Sequence, residues 1–544
     1  MNVSVRAQKS FSEPARWVLV TGALLAALAG RALAADRPLP LAEAIAMALS
    51  NNEAILVQRE GLVAAEAAVG GARGAYDPLL ELSGGWRDGR RPVNSSFSGA
   101  PAGRLAPKQE VIDATAGVSQ LLPTGGSVAL RGTSARGKTD SVFQLLSPAY
   151  DTGLGVEFRQ PLLRDRAIDP ARFGLKVAAA DRELAAADLR RQLMETVAAV
   201  ERSYWTLTAT RRELSVREEA LRLAQDQLGE TEHRIEAGAS PETEVAQPRA
   251  ELERRRGELL ASREAATRAE NALKLLILGD TDTTSWGDHL VPSEDAAPAV
   301  SSVDVVAAMT RALESRPELA ALEAVIDRRK AETALAKDAV RPSFDAVLAY
   351  ERFGLAGTRN RAASGSGTVP SRLDGGFSDS LDLLRDGDLD EARVGLVFAV
   401  PIGNRRARAG AAIAKSVERQ AEADLTLARK EVRTEVLDAV AALDTAGQRI
   451  EAAKAAREAA EVQLMAERER FGAGISTNFL VLTRQNDLSR ARLDEIAAQT
   501  DYRQAAVDLA RTSGVLLEER GIAIDGIAIE EGGSAASPGT QGGK

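Results

Sequence analysis

Cysteine is absent from this 544-residue sequence, and histidine occurs only at His233 and His289. The lack of thiols excludes disulfides, zinc–thiolate sites and cysteine nucleophiles, and two histidines so far apart do not indicate histidine chemistry. Aromatic residues make up only 4% of the chain and charged residues 27%, a composition typical of long helices and coiled coils. The net charge of -9, with both signs interleaved, argues against nucleic acid as a partner.

No group of residues indicates an enzyme. The abundant Asp and Glu residues fall in Glu/Arg helical patterns that are typical of a solvated helix face. The glycine clusters at 84–89 and 375–376 lack a following Lys-Ser/Thr and therefore do not indicate a phosphate site. We expect no catalytic residues, no cofactor and no metal site.

The first residues have the order of an export signal. Basic residues Arg6, Lys9 and Arg16 precede an apolar run over 17–28, and Ala32-Leu-Ala34 follows that run. This order predicts a signal peptide over residues 1–34. No later stretch has the ~18 apolar residues of a transmembrane helix, so a membrane location would require a β-barrel.

One short segment occurs twice, beginning at Arg234 and again at Arg470. The two copies, aligned without a gap, share these identities: Arg234/Arg470, Ala237/Ala473, Gly238/Gly474, Ser240/Ser476, Val245/Val481, Leu252/Leu488, Arg254/Arg490 and Arg256/Arg492. Each copy lies between two long helical patterns, which predicts the tip of a helical hairpin.

The residue types at these tips predict helix caps. Gly238 and Gly474 would end the incoming helices in the left-handed conformation. Ser240 and Ser476 would cap the outgoing helices, with Pro241 at the first helical position in the first copy.

The segments before the tips are also duplicated. Apolar residues at helical spacing predict helices over 41–75 and before residue 340, and alternating residues such as Phe344, Leu348 and Tyr350 then predict strands. The strand ends are marked by four prolines: Pro78, Pro161, Pro342 and Pro401. In the second half a loop is predicted over about 354–380. In the first half an extra turn at 123–126 leaves the number of strands open.

Long helices follow the strands in both halves. They are predicted over 170–236 and 407–470, and each chain segment returns after its tip for about 40 residues. In the first return segment, apolar residues repeat every seven positions from Val245 to Leu273, and Pro248 should kink or loosen the first turns. We predict a first structural repeat over 35–280, a linker over 281–300, a second repeat over 301–515 and a partly disordered tail over 516–544.

This ordered and duplicated set resembles the TolC family of outer-membrane efflux proteins over about residues 41–515. The resemblance implies a homotrimer in which pooled strands form a transmembrane β-barrel and the long helices form an α-helical coiled-coil tunnel through the periplasm. It also implies outer-membrane lipid, a periplasmic adaptor protein and an inner-membrane pump as partners. The tips Arg234–Ser240 and Arg470–Ser476 would close the tunnel and contact the adaptor.

The resemblance further implies acidic residues six and nine positions after the tip glycines. The first copy has Glu244 and Gln247 there, and the second has Leu480 and Thr483. These four residues are therefore candidates for the periplasmic aperture, and Leu480 would close it by dewetting rather than by charge. The alternative is that Leu480 only packs against a neighbouring helix.

The predicted function is a passive, gated duct of the outer membrane and periplasm of a Gram-negative bacterium, serving tripartite efflux or type I secretion. A periplasmic adaptor with long helical hairpins is the alternative, although such a protein would carry one hairpin rather than this twofold order. Drugs, metal ions, polysaccharide and polypeptide all stay open as substrates.

Overall fold

The computed structural model describes residues 36–92, 99–238, 241–280, 285–294, 303–363 and 368–522. The predicted signal peptide, Ser240 and most of the predicted tail lie outside these residues.

Helices account for most of the described chain. The first long helix, Pro170–Glu236, has the predicted bounds, and the second long helix, Arg405–Gly472, extends two residues beyond its prediction at each end. The first return helix is Ala246–Ile277 and the second return helix is Asn478–Thr512. The remaining helices are shorter: Leu41–Asn51, Glu53–Arg73, Val305–Ser315, Pro317–Asp338, Phe377–Asp386 and Leu516–Glu519.

In the first return helix, the apolar residues that repeat every seven positions are buried. Leu252, Leu259, Ala266 and Leu273 are all buried. A 3-10 turn over Glu242–Val245 precedes this helix, so Pro248 lies in its first turn, where a missing N–H costs little. This 3-10 turn lies before the helix and not at Pro248, so the kink or loosening expected from the proline stays a prediction.

Two strands form a small parallel sheet. Strand β1 (Asp36–Leu39) pairs with β6 (His289–Pro292), which lies within the segment predicted as a linker. The hydroxyl of Tyr204 joins this pair to the first long helix: it donates to the carbonyl oxygen of Leu39 at 2.9 Å and accepts from the backbone N–H of Ser293 at 3.2 Å. Tyr204 is fully buried, so the hydrogen bonds of its hydroxyl hold the small sheet in the protein core.

Six strands form an antiparallel sheet in the order β2-β3-β4-β5-β7-β8. Their bounds are β2 Leu79–Arg90, β3 Lys108–Leu121, β4 Ser127–Thr139, β5 Leu146–Pro161, β7 Ser343–Arg359 and β8 Asp390–Ala399. The turn at 123–126 thus separates β3 from β4, and the first half supplies four strands where the second supplies two. Within the described residues, β2 pairs only with β3 and β8 only with β7. Each of these edge strands leaves one side without a partner.

The two faces of this sheet differ in chemistry. The cross-strand register places most exposed large apolar side chains on one face, the apolar face: Leu80, Leu82, Trp86, Ile112, Val118, Leu130, Leu154, Val156, Leu348, Tyr350, Val394, Leu396 and Phe398. The opposite face, the polar face, carries many charged residues: Glu81, Arg87, Asp113, Arg131, Glu157, Arg159, Glu351, Glu391 and Arg393. This alternation is the pattern of strands with an apolar environment on one side only.

Two sequence predictions for this region need correction or refinement. The loop predicted over 354–380 is wrong at both ends, because β7 continues to Arg359 and a helix begins at Phe377. Of the four prolines, Pro78 and Pro342 directly precede β2 and β7, Pro161 is the last residue of β5, and Pro401 lies two residues beyond β8.

The chain divides into two compact units. One comprises the chain up to Val57, Arg190–Arg316 and the chain from Lys430 onward, and it contains both hairpin tips. The other comprises Gln58–Leu189 and Pro317–Arg429 and contains the six-stranded sheet. None of the helices among the described residues has a stretch apolar and long enough to cross a membrane.

Candidate functional site

The first candidate tip joins the first long helix to the first return helix. Gly238 has a φ of +71°, the left-handed conformation expected from the sequence, and open space surrounds its missing Cβ. Its N–H donates to the carbonyl oxygen of Ile235 at 2.9 Å, which ends the helix. Pro241 stands before the 3-10 turn rather than at the first helical position, so that prediction is wrong by one turn.

The second tip joins the second long helix to the second return helix. Gly474 has a φ of +77°, and the N–H of Ile475 donates to the carbonyl oxygen of Arg470 at 3.0 Å. Ser476 does not cap the outgoing helix, contrary to the sequence prediction. Its hydroxyl bonds the buried carboxylate of Glu467 on the incoming helix, and Thr477 occupies the cap position without a side-chain bond. Because Glu467 needs a donor when buried, it holds the hydroxyl that the cap would use.

The two tips lie side by side, and two side chains of the second, Phe471 and Asn478, contact the first. The guanidinium of Arg234 lies 5.0 Å from the centre of the Phe471 ring, and Asn478 donates to the hydroxyl of Thr231 at 3.3 Å. Thr231 is the repeat counterpart of Glu467, so the same helical position receives a bond from the second tip in both copies. The tips therefore share one fold, while their contacts with one another are asymmetric.

The duplicated arginines have different environments. Arg234 is half-buried over the aromatic ring, whereas Arg470 is 63% exposed and only approaches Glu467 of its own helix, at 3.7 Å. The difference follows from the next residue in each copy, which is Ile235 in the first and Phe471 in the second.

A cleft of about 450 Å³ opens between the tips. In the described part of the chain its lining includes two of the predicted aperture residues, Glu244 and Gln247, both exposed, together with Phe479. Leu480 and Thr483 are not part of this lining. Leu480 is partly exposed, and the Thr483 hydroxyl donates to the carbonyl oxygen of Phe479 in its own helix at 2.8 Å.

Ion pairs connect the helices behind the tips. Arg217 of the first long helix contacts Glu258 at 2.5 Å, and Arg254 contacts both Glu251 and, in the second return helix, Asn486 at 2.8 Å. Burial would raise the pKa of the Glu251 carboxyl, but the hydrogen bonds and charges of Arg254 and Arg255 outweigh it and hold that pKa below its ordinary value. The Glu251 carboxylate is therefore charged at neutral pH, and the contacts of Arg217 and Arg254 tie the helices together.

Two other carboxylates correct the expectation that Asp and Glu lie on solvated faces. Glu201 is fully buried and accepts two bonds from Arg520, at 2.5 and 2.6 Å. Glu270 is buried against Lys274 at 2.8 Å and Arg211 at 3.2 Å. Both join segments distant in sequence, so their role is structural. Among the described residues, no group of three or more acidic or histidine side chains is placed to hold a metal ion.

Sequence reasoning missed three residues that connect the two tips, namely Thr231, Phe471 and Asn478, and also missed Glu467, which binds Ser476 within the second tip. The available sequence signal was Phe471, an aromatic residue that directly follows Arg470, whereas Ile235 follows the duplicate Arg234. Of the predicted tip residues, the structure brings together Arg234, Glu244, Gln247 and Ser476 around the cleft.

Comparison with known proteins identifies the family of this chain. A family model described as outer membrane efflux protein matches residues 168–279 and 308–515, more than half of the chain. The chain belongs to the outer membrane efflux protein family. Members of this family are channels and not enzymes, so this protein is an outer-membrane channel component of an efflux system. The match gives no support to the periplasmic-adaptor alternative.

Solved structures of low sequence identity share the fold. The CmeC outer membrane channel of Campylobacter jejuni is 14% identical with a TM-score of 0.62, over 90% of this chain and 89% of that chain. The outer membrane protein VceC of Vibrio cholerae is 17% identical with a TM-score of 0.59, over 87% and 96%. The open-state MtrE outer membrane channel of Neisseria gonorrhoeae is 15% identical with a TM-score of 0.57, over 88% and 89%. No curated protein sequence matches the chain.

Proposed function

We propose that three copies of this efflux protein assemble into one duct, with a closed β-barrel in the outer membrane and a helical tunnel in the periplasm of a Gram-negative bacterium. The observation that carries the proposal is the six-stranded sheet, which has two unpaired edges and one exposed apolar face. In water such edges and such a face would promote aggregation. Pairing β8 of each copy with β2 of the next satisfies the edges, and hydrocarbon covers the apolar face.

The strand count gives the barrel a wide lumen. Three copies of six strands make eighteen, and barrels of about 16–18 strands enclose an aqueous channel. The polar face, with residues such as Glu351 and Arg393, then lines water. The barrel itself therefore does not restrict passage, and restriction falls to the helical tips.

The tips form the periplasmic mouth in this proposal. A periplasmic adaptor and an inner-membrane pump contact them through the exposed turns at Gly238 and Gly474 and the residues around them, Arg234, Ser240, Arg470 and Ser476. Glu244 and Gln247 line the closed aperture, because they already face the cleft between the tips. Leu480 and Thr483 form a second, less polar ring. Opening is a population shift of the tip helices driven by partner contacts.

The first experiment measures assembly. The mature protein is purified in detergent, and its mass is determined by light scattering with the detergent contribution subtracted. A trimer is expected. A strict monomer contradicts the barrel, because it would leave the β2 and β8 edges unpaired.

The second experiment measures conductance across planar bilayers. The purified protein should give small, cation-preferring steps, and Glu244→Gln should reduce the preference for potassium over chloride. Glu242→Gln is the matched control, since it removes an exposed carboxylate from the same 3-10 turn. Equal effects of both substitutions would contradict an aperture at Glu244, and complete absence of conductance would contradict the duct.

A further inference from the structure

The connection between β7 and β8 contains a ten-residue helix, Phe377–Asp386, called here the sheet helix. It lies directly on the six-stranded sheet. The hydroxyl of Ser380, which is fully buried, is 2.7 Å from the hydroxyl of Thr152, and Thr152 also donates to the carbonyl oxygen of Ser380 at 3.2 Å. A Cβ at Gly354 would overlap that same carbonyl oxygen, so the glycine is what permits this close approach.

The sheet helix covers the apolar face and not the polar one. Thr152 and Gly354 are register partners and therefore share a face. On β5 that face continues through Leu154 and Val156, which are the exposed apolar residues described above. A helix that belonged to the water-filled side would instead contact the face of Glu351 and Arg393.

The sheet helix has three sides of different chemistry. Ser380 and Leu383 are buried against the sheet. Phe377 and Leu381, one turn apart, form an apolar flank that is 46% and 41% exposed. The charged residues form the third, polar side: Asp379, Asp382, Arg385 and Asp386. Within this single chain, the described residues leave this apolar flank partly uncovered.

The neighbours of Phe377 indicate what covers this flank. Its ring packs edge-on against Tyr150 of β5, with centroids 6.4 Å apart, so the flank is turned toward β5 and away from the edge strand β8. Tyr150 lies in a cross-strand row of the apolar face with Arg136, Ile112 and Trp86. Tyr150 and Trp86, the two aromatic residues of this row, are of the types that are enriched at the membrane–water interface.

We propose that the sheet helix is an interfacial helix that binds lipid of the outer leaflet, with Phe377 and Leu381 inserted beside the row that contains Tyr150 and Trp86. This proposal rests on the proposed function, since it takes the apolar face as the lipid-facing one. A second copy of the chain is the less favoured occupant, because Phe377 packs on β5, which lies inside the sheet, whereas copies would pair at the edge strands β2 and β8. The helix would fix the depth of the sheet in the membrane at its loop end.

The test uses the absence of cysteine from the full-length protein. Single cysteines are introduced by Leu381→Cys, Asp382→Cys, Leu396→Cys and Val397→Cys, and each is labelled with an environment-sensitive fluorophore. The proteins are reconstituted into vesicles of phosphatidylethanolamine and phosphatidylglycerol that contain a nitroxide lipid. The nitroxide is placed near the headgroup in one set and deep in the acyl chain in the other.

The label at position 381 should be quenched several-fold more by the headgroup-proximal nitroxide than by the deep one, and several-fold more than the label at position 382. The label at 396 should be quenched by the deep nitroxide, and the label at 397, on the polar face, by neither. An unquenched label at 381 together with a quenched label at 396 overturns the interfacial helix and leaves the membrane-spanning sheet intact. Absence of quenching at both 381 and 396 overturns the membrane-spanning sheet, and this proposal with it.

A cross-linking experiment tests the other occupant. The Leu381→Cys protein is treated with a short bifunctional thiol reagent in the same vesicles. The lipid proposal predicts no dimer band. Efficient cross-linking between copies through position 381 shows that a second chain covers the flank, and overturns the proposal.

Discussion

Glu270 shows how a single residue of a charged helix stabilises the first return helix. The carboxylate is buried between Lys274 and Arg211 and lies 3.4 Å from His289. Burial by itself would raise its pKa, but the hydrogen bond and charge of Lys274 prevail, so the pKa of Glu270 is lower than its ordinary value. The charged form therefore favours the folded state.

Glu270→Gln should destabilise the protein at neutral pH by about 3 kcal/mol, because the buried Lys274 loses its partner. Since the folded-state pKa is depressed, the contribution of Glu270 is present above the unfolded pKa and is lost as the pH falls through the lower folded value. The difference between wild type and variant should thus be constant at neutral pH and shrink below about pH 4.3. Hydrogen exchange of Ala266–Ile277, followed by mass spectrometry, measures this local stability.

Glu264→Gln is the control in the same helix. Its ion pair with Arg268 lies on the exposed surface, where such pairs contribute less than about 0.5 kcal/mol. An equal increase in exchange for both variants would contradict the role assigned to Glu270.

Prediction of single residues from the sequence succeeded where one physical cause dominates the position that a residue type occupies. Gly238 and Gly474 were placed correctly in the left-handed conformation because few other residues adopt it without strain. Glu270 and Glu201 were not recognised as buried, since a Glu/Arg pattern looks the same on a solvated face and at a helix contact. Ser476 was predicted as a cap, but a buried carboxylate nine residues earlier in sequence competes for its hydroxyl.

At the scale of elements, the bounds of the two long helices were predicted to within two residues, whereas the first return helix begins about one turn later than predicted. The strand alternation was also clear, and it now defines two chemically distinct sheet faces. The sheet helix was missed because it lies in a glycine- and serine-rich segment and is only ten residues long. Such a helix is stabilised by tertiary contacts, here with Thr152 and Tyr150, and not by its own propensity.

The two faces of β8 allow a prediction with a neighbouring control. Leu396 lies on the apolar face and Val397 on the polar face, and both are well exposed. Leu396→Arg should destabilise the membrane-inserted sheet by up to about 2–4 kcal/mol, the cost of an arginine facing lipid at the bilayer midplane. Val397→Arg should have little effect because its side chain would face water. The yield of folded trimer in vesicles measures the difference, and equal loss for both substitutions would contradict the lipid-facing assignment of Leu396.

At the scale of the whole molecule, the proposed duct would have a wide barrel and narrow tips. An eighteen-strand barrel would not limit flow, so the resistance of the closed duct would lie at the helical tips. In that duct, the contact between the two tips within each chain would contribute to the closed state. Its main element is Arg234 over Phe471, because the counterpart Arg470 makes no aromatic contact among the described residues.

Arg234→Ala should therefore open the duct more than Arg470→Ala. Loss of a partly desolvated cation–π contact costs about 1 kcal/mol, and a difference of this size shifts the ratio of open to closed states about fivefold. The measurement is the open probability of single channels in planar bilayers, with Phe471→Leu as a second way to remove the ring while retaining bulk. Phe471→Leu should match Arg234→Ala, and the double variant should open no further than either, since both remove one contact. Equal opening by Arg470→Ala would instead attribute the effect to loss of positive charge at the mouth.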